Sequence, residues 1–88
     1  MFYTYILFSP STDKYYTGHT SNSPYDRLDQ HNNGMSPYTK PGTPWSLCFI
    51  KAFENKSDAT QFENFIKRQK SKVFINKLIK SDENDFHK

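Results

Sequence analysis

Two short stretches, Phe2-Tyr3-Thr4-Tyr5-Ile6-Leu7-Phe8 and Lys14-Tyr15-Tyr16-Thr17-Gly18-His19-Thr20, decide how this chain folds. The first is rich in aromatic and β-branched residues, and the second carries Tyr15, Tyr16 and Thr17, so each reads as a strand. The cluster Ser9-Pro10-Ser11-Thr12-Asp13 between them is turn chemistry, so the pair reads as a β-hairpin with a medium-length loop. Gly18, inside or at the end of the second strand, marks a bend or a close approach to the backbone. Tyr5 and Tyr16 lie on opposite arms and could bring two phenols together on one side of the sheet. The same spacing also suits plain core or cross-strand aromatics.

Beyond the hairpin, Ser23-Pro24-Tyr25-Asp26 is a helix start. Ser23 can cap, Pro24 suits the first helical position, and Asp26 completes a capping-box-like pair. This helix is expected to reach His31 or Asn32, with Asn33-Gly34 as its left-handed stop. Residues 35–44 hold Pro37, Pro41, Gly42 and Pro44 and read as an irregular loop. Trp45 to Phe53 is apolar and reads as a third strand. Ser57 is expected to cap a longer helix from Asp58 to Lys70, with Ala59, Phe62, Phe65, Ile66 and Gln69 on its buried face. Val73, Phe74, Lys77 and Leu78 continue the helical pattern after Ser71. The order is β-β-α-β-α-α, an α+β fold in which helices flank a small three-stranded antiparallel sheet. Residues 1–80 form the expected domain, and 81–88 a short polar tail.

The totals agree with this plan. The chain has 88 residues, enough for one domain with a modest core. Eight Phe, six Tyr and one Trp supply much of that core, because each buries a large area. The single cysteine, Cys48, excludes an internal disulfide and sits in an apolar run, as a small buried hydrophobe would. No stretch approaches a membrane helix, and Met1 to Leu7 lacks the marks of a signal peptide, so a soluble cytoplasmic protein is expected. Eight of the twelve Lys and Arg residues fall between Lys51 and Lys80, opposed there only by Glu54, Asp58 and Glu63. Such a segment is either a solvated helix face or a surface for phosphates.

Three further residues can carry chemistry. Arg27 and His31 are four apart and share a face of the first helix. An arginine there can hold a phosphate and a histidine can donate to a phosphate or move a proton, or both can simply be solvated beside Asp26 and Asp29. Glu63, flanked by Phe62 and followed by Lys67, Arg68 and Lys70, can ligate Mg²⁺ or pair with Lys67 one turn on.

In this order the residues resemble the GIY-YIG nuclease superfamily, over Phe2 to Ile79. Tyr3-Thr4-Tyr5 corresponds to the first signature tripeptide, with Tyr3 and Thr4 replacing its Gly and Ile, and Tyr16-Thr17-Gly18 to the second. The helix arginine falls on Arg27, with His31 after it, and the late-helix glutamate falls on Glu63. Tyr15-Tyr16-Thr17-Gly18-His19-Thr20 and Pro44-Trp45-Ser46-Leu47 look like the small stand-alone bacterial members, similar to the N-terminal module of the excision-repair nuclease subunit. Asn76 follows Glu63 at a distance that suits the family's late asparagine.

The resemblance implies a metal-dependent endonuclease acting on DNA with low sequence specificity, related to repair, and leaves RNA open. It implies one Mg²⁺ or Mn²⁺ on Glu63 and water activated or positioned by Tyr5, whose phenol nearby cations such as the metal or Lys40 would have to acidify. Tyr16 would orient the water or phosphate, Arg27 would neutralise transition-state charge, and His31 would assist proton transfer. Lys40, Lys67, Arg68, Lys70 and Lys72 would hold the backbone of the nucleic acid. The larger relatives carry separate DNA-binding domains, so a protein partner that targets the substrate also fits. The rival readings are a non-catalytic nucleic-acid-binding module of the same fold and a protein-interaction module.

Overall fold

The computed structural model describes residues 1–87. Strand β1 (Phe2–Ser9) is the centre of a three-stranded antiparallel sheet, between β2 (Lys14–Thr20) and β3 (Ser46–Phe53). Helix α1 (Pro24–Asn32) links β2 to a loop with a 3-10 turn at Lys40–Gly42, which leads into β3. Helices α2 (Lys56–Gln69) and α3 (Lys72–Ile79) follow, then a second 3-10 turn at Asp85–His87. The α+β architecture and the β-β-α-β-α-α order are those expected from the sequence.

Side chains alternate along a strand, so β1 feeds two cores. Tyr5 and Leu7 join Trp45, Leu47 and Ile50 on one face, closed by Leu28 of α1 and by Phe86. Ile6 joins Phe49 and Ile66 on the other, covered by Phe62 of α2 and by Phe74, Ile75, Leu78 and Ile79 of α3. The pairing of β1 with β3 steps from Ile6↔Phe49 to Leu7↔Leu47, leaving Cys48 as an extra residue. That bulge brings Leu47 and Ile50, three apart, to the same core. Cys48 is half-buried rather than buried, and desolvation pushes its thiol up to about 12, so it packs as a neutral group.

Local chemistry sets the helix ends. Ser23 caps α1 by accepting from Tyr25 N, Pro24 opens it, and Gly34 takes φ 72 just beyond it. α2 starts earlier than expected. Asn55, not Ser57, is its cap, because the Asn55 Oδ1 accepts from Asp58 N at 2.8 Å. Ser57 lies inside the first turn, where its Oγ accepts from Gln61. The helix stops at Lys70, whose φ of 48 is left-handed, and Ser71 caps α3.

The buried stripe of α2 is Ala59, Glu63 and Ile66, with Phe62 half-buried. Phe65 and Gln69 were expected on that stripe but are exposed, and a carboxylate replaces them. At the chain end the expected polar tail is not loose among the described residues. Asn84 is buried, its Oδ1 accepts from Ile50 N and Phe86 N, and its Nδ2 donates to Cys48 O and Ile79 O. Asp85 accepts from Ala52 N.

Candidate functional site

The site forms around Gly18 on β2, a strand at the edge of the sheet. Tyr5 pairs with Gly18 in the register, is 1% exposed, and lays its ring over that glycine. A Cβ on Gly18 would stand 2.7 Å from the Tyr5 hydroxyl, so only glycine leaves room for the phenol to cross its neighbour strand. The helix face that carries Arg27 and His31 meets it there. Tyr5 Oη lies 3.1 Å from His31 Nε2, and His31 Nδ1 lies 2.7 Å from Thr39 Oγ1. Thr39 in turn donates to the Ser36 carbonyl at 3.4 Å. One direction satisfies the whole chain: Tyr5 donates to Nε2, and Nδ1–H donates to Thr39. Burial, and then the Arg27 cation, hold the His31 pKa below its ordinary 6.5, so the ring is neutral at pH 7.

Tyr16 completes this side, its ring 5.0 Å from that of His31 and 6.4 Å from that of Tyr5. Arg27 donates from Nη1 to Gln30 Oε1 at 2.6 Å. Among the described residues its Nε is a buried donor without a partner. The sequence reading asked for a cation to acidify Tyr5. Burial instead raises the Tyr5 pKa above 10, and the neighbouring guanidinium of Arg27, not Lys40, offsets only part of that rise. The phenol therefore keeps its proton at neutral pH.

Glu63 approaches from the opposite face of the sheet, on α2. It is 8% exposed, one carboxylate oxygen meets His19 Nδ1, and the other accepts from Lys67 Nζ at 2.5 Å. Glu63 thus makes the helical ion pair with Lys67, and its other oxygen meets His19 of the edge strand. Smaller electrostatic contributions from Tyr16 and then from Glu63 also raise the Tyr5 pKa. Gly18 is the hinge of this geometry: Tyr16 and Gly18 face α1, while Thr17 and His19 face α2. His19 was not singled out from the sequence, although strand alternation beside Gly18 carried the signal.

No group of three or more His, Cys, Asp or Glu that could hold a metal occurs among the described residues. A lone carboxylate with phosphate oxygens and water suits a hard cation such as Mg²⁺, which keeps several waters and takes few protein ligands. Glu63 fits that demand. Lys67, half exposed, can swing from its oxygen to admit the ion.

The basic residues divide. Lys67 and Lys70 line a hollow of about 530 Å³ with Tyr15, Tyr16, Thr17 and Tyr38. Lys56, which the sequence reading passed over, lines another at the far end of β2 with His19 and Arg27. Arg68 lies away from both, in a hollow with Phe53, Asp58, Phe62 and Phe65. Lys72 Nζ binds the carbonyl and carboxylate of Asp13. Lys40 packs its aliphatic chain beside Gly34. Asn76 accepts from the Tyr15 hydroxyl at 2.7 Å. No helix among the described residues is long and apolar enough to cross a membrane.

The family model of the GIY-YIG catalytic domain matches residues 1–78 of the chain. A UPF0213 protein of Clostridium perfringens is 37% identical over 87 residues, covering 93% of this chain and 91% of its own. A UPF0213 protein of Oceanobacillus iheyensis is 39% identical over 67 residues, covering 75% of this chain and 76% of its own. One from Bacillus velezensis is 38% identical over 72 residues, covering 77% and 72% respectively. No solved structure matches the chain.

Proposed function

The chain belongs to the GIY-YIG catalytic domain family, and from that premise we propose that it hydrolyses phosphodiester bonds in DNA with one divalent cation, Mg²⁺ or Mn²⁺, at Glu63. The observation that carries this reading is the convergence on Gly18 of two kinds of group. Tyr5, Tyr16, Arg27 and His31 gather on one face of the sheet, and on the other a buried carboxylate, Glu63, meets His19 beside Gly18.

Each residue then has a task set by its surroundings. Arg27 offers the phosphate a buried Nε–H that has no geometric hydrogen-bond acceptor among the described residues, and its fixed charge opposes the negative charge that grows in the transition state. A protonated Tyr5 cannot be a simple base. Its oxygen instead accepts from the attacking water while its own proton points at the lone pair of His31 Nε2. A proton leaving the water at Tyr5 Oη can therefore pass on to Nε2 without a free phenolate. Thr39 holds the imidazole in the tautomer that keeps Nε2 open. Tyr16, its ring tilted against that of His31, orients the water or the phosphate. A divalent ion on Glu63 would supply Lewis-acid polarisation of the phosphate and neutralise the leaving oxygen. Lys56, Lys67 and Lys70 follow the edge of β2 and suit a nucleic-acid backbone, which carries little sequence information. Weak sequence preference follows, and a role in repair is compatible with it.

The test is a cleavage assay with labelled single-stranded, duplex and branched DNA, in Mg²⁺, Mn²⁺ or EDTA, for the parent protein and Glu63→Gln. Cutting that needs the metal and disappears in the variant is the expected result. Equal cutting by the variant would sink the reading.

A further inference from the structure

Tyr38 stands out on the surface beside the candidate site. It is 84% exposed in the loop between α1 and β3, and its ring lies 6.0 Å from that of Tyr16. A tyrosine so exposed gains little from burial, so packing does not account for its position. It lines the hollow of about 530 Å³ together with Tyr15, Tyr16, Ile66, Lys67 and Lys70. It also lines a second hollow of about 250 Å³ with Tyr16 and Trp45. The larger hollow combines aromatic rings, an aliphatic floor and two lysines, and it runs directly into Tyr16 of the site.

We propose that this hollow is a nucleobase pocket, in which an unpaired base next to the scissile phosphate stacks on Tyr38 while Lys67 and Lys70 hold the flanking phosphates. The proposal rests on the nucleic-acid reading of the site and adds to it the state of the substrate: unpaired at that nucleotide. Aromatic rings grip bases of any identity through their faces, and lysines track the backbone without reading sequence. A base paired inside a duplex does not present its face to a side ring. The pocket therefore selects single strands, loops or overhangs, with little preference for sequence.

The test uses binding, so that it does not depend on cutting. A single-stranded DNA oligonucleotide carrying 2-aminopurine and the same strand in a duplex are titrated with protein in EDTA. The parent protein is expected to quench the free strand and bind it more tightly than the duplex. Tyr38→Ala is expected to weaken single-strand affinity about tenfold and abolish the quenching, while Tyr38→Phe retains both. At 84% exposure the side chain is not needed for folding, which a thermal melt of each variant checks. Unchanged single-strand affinity and quenching in Tyr38→Ala, or equal affinity for strand and duplex, would overturn the pocket while leaving the nuclease reading intact. Absence of single-strand binding by the parent protein would also overturn the pocket, and the metal-dependent cleavage assay decides the nuclease reading separately.

Discussion

Tyr5 and Gly18 face each other across β1 and β2, and the phenol occupies the space a side chain at position 18 would need. Gly18→Ala therefore displaces the hydroxyl from His31 Nε2. We expect a loss of about 1–3 kcal/mol in stability by urea denaturation, as for other overpacked sites, and loss of cleavage in the same variant. A variant as stable and active as the parent would show that the ring moves aside without consequence.

Tyr5→Phe keeps the ring over Gly18 and removes only the hydroxyl. Cleavage should fall by about a hundredfold or more, the range of a lost proton-transfer group. Stability should fall by about 1–3 kcal/mol because His31 Nε2 loses its partner. Activity near the parent level would assign the water to another residue.

The neutral His31 has a pH consequence whose sign is fixed. Its folded pKa lies below 6.5, so the unfolded chain takes up the proton first. Stability from this group is complete above pH 6.5 and falls as the pH drops below it towards the folded value. Denaturation at about pH 7.5 and about pH 5.5 should show that decline, and His31→Gln should flatten it. An unchanged slope in the variant would assign the decline to other groups.

A cation at Glu63 binds the folded state and must raise its stability. At a concentration about ten times the dissociation constant the gain is about 1.4 kcal/mol, a rise of several degrees in melting temperature for a chain of this size. Mn²⁺ should produce it in the parent, EDTA should reverse it, and Glu63→Gln should show none. A rise of equal size in the variant would move the ion elsewhere.

Asn84 serves four backbone groups with one side chain. Asn84→Ala leaves Ile50 N and Cys48 O without it, and should cost about 3 kcal/mol or more by urea denaturation. Asn84→Asp keeps the acceptor but not the two donor contacts, so it should also destabilise the chain. A cost under about 0.5 kcal/mol, the level of an ordinary surface change, would mean that water replaces the amide.

Much of this was legible in the sequence. The hairpin, the Ser23-Pro24 helix start and the element order are written in local propensities and turn residues, which need no tertiary information. Tyr5, Tyr16, Arg27, His31 and Glu63 could be named from family spacing, and the first, second and fourth of them lie ring to ring. What could not be read depends on contacts between distant parts of the chain. Asn55 and Ser57 are both good caps, and only the geometry of the chain leaving β3 selects Asn55. The bulge at Cys48 breaks a simple period of two. His19 was hidden because its partner, Glu63, is 44 residues away. That burial raises the Tyr5 pKa by more than the nearby Arg27 cation lowers it is invisible in a list of neighbours. Asn84 looked like part of a polar tail, since nothing local says that an amide will be drawn under a strand.

The contacts of Asn84 and Asp85 bear on how the molecule meets its own kind. A strand at the rim of a sheet offers rows of amide donors that another chain can zip onto, the first step of aggregation. On β3 the N–H groups of Ile50 and Ala52 point away from β1, and these two side chains already occupy them. That rim is closed to strand addition by a segment of the same polypeptide. Removing the segment would do more than loosen the core: it would bare a row of amide donors on β3 and offer other chains a template for fibres.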